Sequence, residues 1–469
     1  EGYGMRIEED CIGKLPIDKQ ALYGIHTVRA VRNFPISHEP LDPLIIQSLI
    51  QIKKAAAETN QAAGTLSLAK QQAIVAACNQ LLIGRHADSF IVPAIQGGAG
   101  TSANMNVNEV VANLGHRLNP TVKLQPNDDV NQSQSTNDTF PTAGKMALLQ
   151  QLPGLLGAIG QLVQTLLVQA NTYRDTIKVG RTQLQDAVPT TYGRTFQAYY
   201  HLFKRDLGRL QTAGEHLQLV NLGGTAIGTG VNATRYYQTH ILTVLNQNTK
   251  LNLQTAPDLI DATQNCDLFV EFSGAMKTLA VNLSKFSNDL RLLSSGPQAG
   301  LGELNLPAKQ AGSSIMPGKV NPVIPEVVNQ VCFEVIGNDV TVTMAAEAGQ
   351  LELNAFEPIM LRDLLANERY LQQAMHTLVK NCLRDLTVNK TACATAVEQS
   401  AITATVLTPY LGYMTTTKLI KRAMTAHISV KELLLKEKRL PATLIEQLFS
   451  PASLTQPRAT KAPSIQNQA

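Results

Sequence analysis

The chain has 469 residues, of which 44% are apolar, and its formal net charge is +4. This length predicts two or three domains, and the small charge, with no aromatic residues interleaved among the basic ones, argues against a nucleic-acid partner. The six cysteines lack the spacing of a zinc site, and neither a secretory signal nor an apolar run of membrane-spanning length is apparent. We therefore expect a cytoplasmic protein with reduced thiols, no metal site and no membrane partner.

The first part of the chain alternates between helical and loop-like segments. Residues 1–48 show no regular spacing and are predicted to be irregular, whereas the apolar residues from 49 to 83 are spaced as in a helix that loosens around Gly64. The segment GAGTSA at 98–103 fits a loose dinucleotide-binding pattern, but Pro93 interrupts the only candidate strand before it. We therefore reject a Rossmann-type site.

A polar stretch, QPNDDVNQSQSTNDTFP, spans residues 125–141. Its Ser, Thr, Asn and Asp side chains favour turns and helix N-caps. Pro141 suits the first turn of a helix, because proline lacks the N–H that is unpaired in that turn. The stretch therefore predicts a loop followed by a helix that begins close to Pro141.

The strongest pattern is a run of apolar residues whose spacing alternates between four and three, namely Phe272, Met276, Leu279, Leu283, Phe286, Leu290 and Leu293. A seam of this kind predicts one long, straight helix. Further long helices are predicted near 142–172, 190–219, 325–348 and 361–389. The prediction is an all-α chain built on a bundle of long helices, which buries a second apolar face in a helical oligomer. A helical scaffold without activity is the alternative.

The stretch AGSSIMPGKVNP begins at Ala311 and fits none of three familiar motifs. Five residues rather than four separate Gly312 from Gly318, so it is not a phosphate-binding loop. Lys319 follows Ser314 by five residues rather than three, and the spacing of a nucleophile elbow is absent. On composition alone an ordinary loop is the alternative, since Gly, Ser and Pro clusters are usually loops.

Small hydroxyl and amide side chains gather in this stretch and in three other glycine-punctuated or polar segments, GGAGTSANMN, SQSTND and GRTQLQDAVP. The candidate binding residues in these segments are Thr101, Ser135, Thr136, Asn137, Thr182, Gln183, Lys319 and Asn321. They supply neutral hydrogen-bonding groups and one cation, a set that suits a small anionic ligand.

Taken together, these motifs resemble those of the fumarase/aspartase superfamily. GSSIMPGKVNP is similar to the GSSxMPxKxN loop of that superfamily, and the other loops match its remaining blocks in order from about Met5 to about Ser450, more weakly after about residue 405. The resemblance implies a homotetramer of three-domain subunits, with a 20-helix core and active sites that are each shared by three subunits. The implied domains are residues 1–137, 138–392 and 393–469.

Local details favour the aspartase branch of the superfamily. YGIHTVRA at 23–30 resembles the aspartase version of that block, Glu357 stands where fumarases usually have Lys, and Gln183 stands where fumarases have His, although Phe356 and Glu352 depart from the commoner aspartase residues. The branch implies reversible deamination of L-aspartate to fumarate and ammonia, by anti-elimination through an aci-carboxylate intermediate. Two alternatives are a fumarate hydratase that acts on malate and a catalytically silent structural protein like the lens crystallins of the superfamily.

The resemblance also implies roles for the candidate residues other than Asn137, which is expected only to contact the substrate. Ser313, the first serine of the pair, is expected to be the catalytic base. The hydroxyls expected to bind the carboxylate on which negative charge develops belong to Thr101, Ser135, Thr136 and Thr182. Lys319 and Asn321 are expected to bind the other carboxylate, while Gln183 cannot titrate and orients the substrate or bonds to a carboxylate. No cofactor is required, and activation by a divalent cation such as Mg²⁺ is left open.

Overall fold

Helices dominate the computed structural model, which describes residues 4–457. The first part of the chain contains β1 (Met5–Asp10), β2 (Gly13–Asp18), α1 (Ile25–Asn33), α2 (Pro43–Ala62), α3 (Leu68–Leu82) and α4 (Thr101–Leu118). The middle part contains α5 (Thr136–Thr172), β3 (Ile177–Thr182), β4 (Gln185–Thr191), α6 (Tyr192–His216), β5 (Leu219–Val220), α7 (Arg235–Thr249), β6 (Gln254–Thr255), α8 (Leu259–Gln264), α9 (Asp267–Leu293), β7 (Leu304–Asn305), α10 (Val323–Glu347) and α11 (Glu357–Leu378). The last part contains β8 (Thr387–Val388), α12 (Lys390–Gln399), α13 (Thr408–Leu411), α14 (Tyr413–Thr425), α15 (Val430–Glu437), α16 (Ala442–Leu448) and α17 (Pro451–Thr455).

The strands form only two-stranded pairs within the described residues. β1 pairs with β2, β3 with β4 and β7 with β8 in antiparallel fashion, whereas β5 and β6 are parallel. The GAGTSA segment follows no strand, because Pro93 makes only an isolated bridge with Pro40. The segment therefore lacks the preceding strand that the dinucleotide-binding pattern requires.

The five longest helices, α5, α6, α9, α10 and α11, fall where the sequence predicts long helices. In the predicted seam of α9, every residue from Phe272 to Leu290 is at most 1% exposed. The α9 side chains of Ser273 and Lys277 both donate to Asp339 of α10, at 2.8 and 2.6 Å. The break predicted around Gly64 is also confirmed, since α2 ends at Ala62 and Gly64 has a φ of +77°.

The opening segment corrects the prediction that residues 1–48 are irregular, because it contains a hairpin, α1 and the start of α2. The side chain of Arg6 donates to the backbone carbonyls of Asp18, Ala21 and Tyr23, which closes the hairpin onto the following turn. The carboxylate of Glu109 accepts the backbone N–H groups at the start of α1. These elements depend on polar contacts from elsewhere in the chain, and such contacts leave no apolar periodicity.

The position of Pro141 also differs from the prediction. Helix α5 begins at Thr136, so Pro141 lies in its second turn rather than its first. A proline there leaves the carbonyl four residues earlier, that of Asn137, without its helical donor. The side-chain amide of Asn221 donates to this carbonyl at 3.0 Å, which compensates for the lost bond.

Helix α5 also corrects the expectation that no apolar run is long enough to span a membrane. Among the described residues it is the one helix that meets that criterion by length and composition, but 44% of its apolar stretch is buried inside the chain. Two of its buried charged residues are paired within the protein: Asp138 accepts the N–H groups of Gly223 and Thr225, and Lys145 donates to the carbonyl of Leu219. These features are typical of a core helix.

The described chain divides into two compact units. The first combines the residues up to Gly157 with Asp206–Val281 and Val331–Gln373, and the second combines Ala158–Arg205, Asn282–Gln330 and the described residues from Ala374 onward. The second unit has an apolar core of its own around Leu419, Leu434 and Ile445. The division into residues 1–137, 138–392 and 393–469 stays a prediction, and residues 1–3 and 458–469 lie outside the described residues.

Candidate active site

Ser313 lies in the loop between β7 and α10, and the two ends of the GSSIMPGKVN segment are bonded together. The N–H of Gly312 donates to the carbonyl of Lys319, and the side-chain amide of Asn321 donates to the carbonyl of Gly312, both at 2.9 Å. A Cβ on Gly312 would lie 2.5 Å from the Lys319 carbonyl oxygen, so only glycine fits. The loop is therefore a closed ring, with Ser313 half-buried at its base and Lys319 exposed.

Within this ring the hydroxyl of Ser313 accepts the backbone N–H of Ile315 at 3.2 Å. A backbone donor at this oxygen favours the alkoxide over the neutral hydroxyl. The apolar side chains of Ile315 and Met316 are exposed at the tip of the loop. The ring therefore presents a hydroxyl with a stabilising donor and an apolar tip that can cover a small ligand.

Thr101 is the first residue of α4, in the first unit. Its hydroxyl donates to the carbonyl of Gly98 at 2.6 Å. Gly100 precedes it with a φ of +88°, and a Cβ there would lie 2.3 Å from the ring of Phe140. The glycines of this loop are thus explained by backbone conformation and packing, and the N–H groups of Thr101, Ala103 and Asn104 at the start of α4 already have acceptors within the chain.

Ser135, Thr136 and Asn137 form the N-terminus of α5. The hydroxyl of Ser135 accepts the N–H of Asn137, and Thr136 accepts a hydrogen bond from the amide of Asn104 at 3.0 Å. The amide of Asn137 donates to the carbonyl of Ala226 at 2.7 Å, which gives this candidate a structural contact. Asp138 is fully buried, accepts three backbone N–H groups and was missed by sequence reasoning; burial raises the pKa of its carboxyl to about 6.

A buried lysine donates hydrogen bonds to side chains in α4 and in the segment just before α5. Lys53 of α2 has no exposed surface, and its ammonium donates to the side-chain oxygens of Asn104, Asn131 and Gln134 at 2.6, 3.0 and 2.8 Å. Burial lowers the pKa of Lys53 to about 7. Sequence reasoning missed it, because a KK pair within a helical pattern is usually a solvated face.

Thr182 and Gln183 lie at the tip of the hairpin that joins β3 to β4. Thr182 pairs with Gln185, and the two residues between them, Gln183 and Leu184, have φ values of +54° and +62°. A two-residue turn of this kind normally contains Asn or Gly, because other residues are strained at positive φ. Both candidate side chains are exposed within the single chain.

The nine candidate residues thus fall into three clusters. Thr101, Ser135, Thr136 and Asn137 belong to the first unit, where Asn104 of α4 bonds to Thr136 of α5. The turn with Thr182 and Gln183 and the ring with Ser313, Lys319 and Asn321 belong to the second unit. A cavity of about 200 Å³ in the first unit contains none of them. Within residues 4–457 no group of three or more His, Cys, Asp or Glu side chains is placed to hold a metal ion.

Comparisons with known proteins identify relatives over nearly the whole chain. Two family models match, Lyase over residues 13–337 and Fumarase C C-terminus over residues 404–456. The second match corrects the expectation that the resemblance fades after about residue 405.

Curated relatives include the aspartate ammonia-lyase of Pseudomonas canavaninivorans, 46% identical over 97% of each chain, and that of Escherichia coli (strain K12), 45% identical over 97% of this chain and 96% of that one. Solved structures include a fumarate lyase:delta crystallin from Brucella melitensis bound to cobalt, 44% identical with a TM-score of 0.92 over 97% of this chain and 100% of that one. A class II fumarase from Schistosoma mansoni is 33% identical, with a TM-score of 0.92 over 96% and 98% of the two chains.

Proposed function

Because the chain belongs to the lyase family of the fumarase/aspartase superfamily, we infer that it is an enzyme that deaminates L-aspartate to fumarate and ammonia. The observation that carries this conclusion is the 45–47% identity with aspartate ammonia-lyases over nearly the full length. The class II fumarase is only 33% identical, which disfavours hydration of fumarate as the main activity. The predicted all-α, fumarase-like fold is confirmed by the two structural relatives.

In the first chemical step that we propose, Ser313 removes a proton from Cβ of aspartate. The alkoxide form of Ser313 is favoured by the N–H of Ile315 and by the positive charge of Lys319 in the same ring. The proton moves to the serine oxygen, and the electron pair of the C–H bond moves into the adjacent carboxylate. The result is an aci-carboxylate that carries two negative charges.

Stabilising this dianion is the largest demand on the site. Thr101 and Thr136 are the first residues of α4 and α5, where the helix dipole favours an anion. With Ser135 and Thr182 they supply four hydroxyl groups for the carboxylate that receives the charge, and Thr101 does so once its hydroxyl turns away from the carbonyl of Gly98. Lys319 binds the other carboxylate together with Asn321, whose amide keeps one hydrogen beyond the bond to Gly312.

In the second step the electron pair forms the double bond of fumarate and the C–N bond breaks. The amino group of aspartate is an ammonium, so it leaves as neutral NH₃ and needs no general acid. Gln183 cannot titrate, but its amide can orient the substrate. The proton on Ser313 is then released to solvent, where ammonia takes one up. No cofactor takes part in this scheme, and activation by a divalent cation such as Mg²⁺ is tested by assaying EDTA-treated enzyme with and without the ion.

We also propose a homotetramer whose active sites each draw on three subunits. An apolar stripe on α10, consisting of Phe333, Val340 and Met344, is between 57% and 64% exposed in the single chain. Burial against another copy of the chain would remove this surface from water. A cytoplasmic location is part of the proposal, in keeping with the free cysteines, five of which are buried.

The test of the proposed activity is direct. The protein is incubated separately with L-aspartate and with L-malate, and the ultraviolet absorbance of fumarate is followed. We expect fumarate from aspartate and no appreciable fumarate from malate. Equal rates with both substrates would contradict the assignment, and no fumarate from either would support a silent scaffold.

A further inference from the structure

Glu303 is a buried carboxylate that the proposed mechanism does not use. It lies immediately before β7, on the segment that leads into the Ser313 ring, and it is 2% exposed. Arg181 donates to one of its oxygens at 2.6 Å, and the hydroxyl of Tyr192 donates to the other at 2.7 Å. The ammonium of Lys178 lies 3.8 Å from the second oxygen. One carboxylate thus faces two cations inside the second unit.

The backbone of Glu303 is also fixed at both ends. Its N–H donates to the carbonyl of Leu293, at the end of α9, at 2.9 Å, and its carbonyl accepts the N–H of Asn389 at 2.8 Å. The next two residues, Leu304 and Asn305, pair with β8. The backbone that carries this carboxylate is therefore rigid. A residue can hold another side chain in position only if its own backbone is fixed.

Arg181, the main partner of Glu303, immediately precedes the turn that contains Thr182 and Gln183. The register of the β3–β4 hairpin shifts between Gly180 and Arg181, and such a bulge redirects the side chains that follow it. The turn itself has two non-glycine residues at positive φ, a conformation that persists only when its surroundings hold it. The part-buried bond between Arg181 and Glu303 therefore ties the residue next to this turn to the segment before β7.

We propose that Glu303 is a positioning residue that holds the Thr182–Gln183 turn in its reactive conformation through Arg181. The proposal rests on the proposed deamination, because that reaction gives Gln183 its task of orienting the substrate. Loss of the carboxylate charge leaves Arg181 and Lys178 close together without their shared counter-ion. Arg181 then moves away, and the strained turn relaxes.

The central experiment is a double-mutant cycle on kcat/KM for L-aspartate. Glu303→Gln keeps the shape of the side chain and removes its charge, and we expect kcat/KM to fall at least tenfold. If Glu303 acts through the turn, the same substitution in a background that carries both Thr182→Ala and Gln183→Ala should lower kcat/KM by less than threefold. A merely structural role would give the full tenfold loss in both backgrounds.

Asp186 offers a matched control, because it is a second carboxylate near the same arginine. It lies 3.8 Å from Arg181 and its side chain is 53% exposed, so Asp186→Asn should stay within twofold of the wild type. If Glu303→Gln does not fold, Tyr192→Phe replaces it. That substitution removes only the hydroxyl bond to Glu303, and we expect a threefold to tenfold loss that disappears in the background that carries both Thr182→Ala and Gln183→Ala.

The proposal is overturned if Glu303→Gln and Tyr192→Phe both stay within twofold of the wild type, or if their losses are undiminished in the background that carries both Thr182→Ala and Gln183→Ala. These outcomes are separate from failure of the proposed function. If the proposed function is wrong, the wild type itself releases no fumarate from aspartate. The double-mutant cycle is then run on whichever dicarboxylate the wild type does convert.

Discussion

Ser313 and Ser314 are adjacent in the chain, but their surroundings differ. Ser313 is half-buried and accepts the N–H of Ile315, whereas Ser314 is exposed. We expect Ser313→Ala to lose turnover by several orders of magnitude while still folding and binding a dicarboxylate, because it removes the proposed base. Ser314→Ala is the control and should stay within a few-fold of the wild type. Turnover of Ser313→Ala above about a tenth of wild type, a barrier change below ~1.4 kcal/mol, would mean that Ser313 is not the base.

Gln183 distinguishes loss of ammonia from loss of water. Water leaves carbon poorly as hydroxide, so dehydration benefits from a group that can donate a proton near neutral pH, as His can. Because ammonia needs no such group, we expect the wild type to show no appreciable malate dehydration. We also expect Gln183→Glu to be less active on aspartate than Gln183→His, since a carboxylate would repel the dianion. Steady-state rates of the two variants decide the order, and the reverse order would contradict this role.

Lys53 should make stability depend on pH. Burial lowers its pKa from 10.5 to about 7. Between about pH 7 and 10.5 the unfolded chain therefore carries a proton that the folded chain has released, so the free energy of unfolding rises with pH, by at most about 1.4 kcal/mol per pH unit. The gain in the free energy of unfolding is lost progressively as the pH falls from 10.5 to about 7, and below about pH 7 Lys53 is protonated in both states.

The measurement compares melting temperatures of the wild type and Lys53→Met from pH 7 to pH 9. The melting temperature of the wild type should rise relative to that of Lys53→Met as the pH rises, because Met cannot titrate. Lys54→Met is the matched control for loss of a lysine side chain at the neighbouring position, because its ammonium bonds to Asn79 near the surface. A difference that stays constant with pH, or moves in favour of the variant, would contradict burial of a titrating lysine.

At the scale of the helix, α5 contains glycines with opposite roles. A Cβ on Gly144 would lie 2.3 Å from the side chain of Leu361 in α11, which has no exposed surface, whereas a Cβ on Gly157 would meet nothing within 4 Å. Gly144→Ala should therefore destabilise by about 1–3 kcal/mol through overpacking. Gly157→Ala should stabilise by up to about 1 kcal/mol, because alanine favours the helix. Thermal unfolding of both variants tests this, and a Gly144→Ala variant that is as stable as the wild type or more stable would show that α5 and α11 are not packed this closely.

At the scale of the whole molecule, the placement of the candidate residues predicts an oligomer. The single chain leaves Thr182, Gln183 and Lys319 exposed, together with the apolar stripe on α10. We expect sedimentation to give a tetramer of about 200 kDa, four times the 50.7 kDa chain. A fully active monomer would contradict the proposal of shared sites.

Complementation tests the sharing of sites more sharply. Ser313→Ala and Thr136→Ala place one lesion in each unit, and each variant alone should be nearly inactive. After the two are unfolded together and refolded, some sites in mixed tetramers should draw only on intact segments, so part of the activity should return. Refolding each variant separately is the control. Mixed tetramers with no more activity than the separate variants would mean that each site lies within one chain.

The sequence by itself determined the long helices and the identity of the candidate residues. The seam from Phe272 to Leu293 predicts α9 because helix periodicity depends on neighbours three and four residues away. Gly64 marks the break between α2 and α3 for a similarly local reason, since it adopts a positive φ. The GSSIMPGKVNP loop indicated the family because its residue types are set by chemistry and by the turns that they must make.

Only the tertiary structure decided which polar groups meet. Lys53 contacts Asn104 across 51 residues of sequence, and Arg181 contacts Glu303 across 122, and neither separation leaves a periodic trace. Contacts of the same kind hold the hairpin of β1 and β2 and the start of helix α1. They also include the bond from Asn221 that compensates for Pro141. The physical reason is that burial of a charge or an amide becomes favourable only when the fold supplies its partner, and that partner is distant in the sequence.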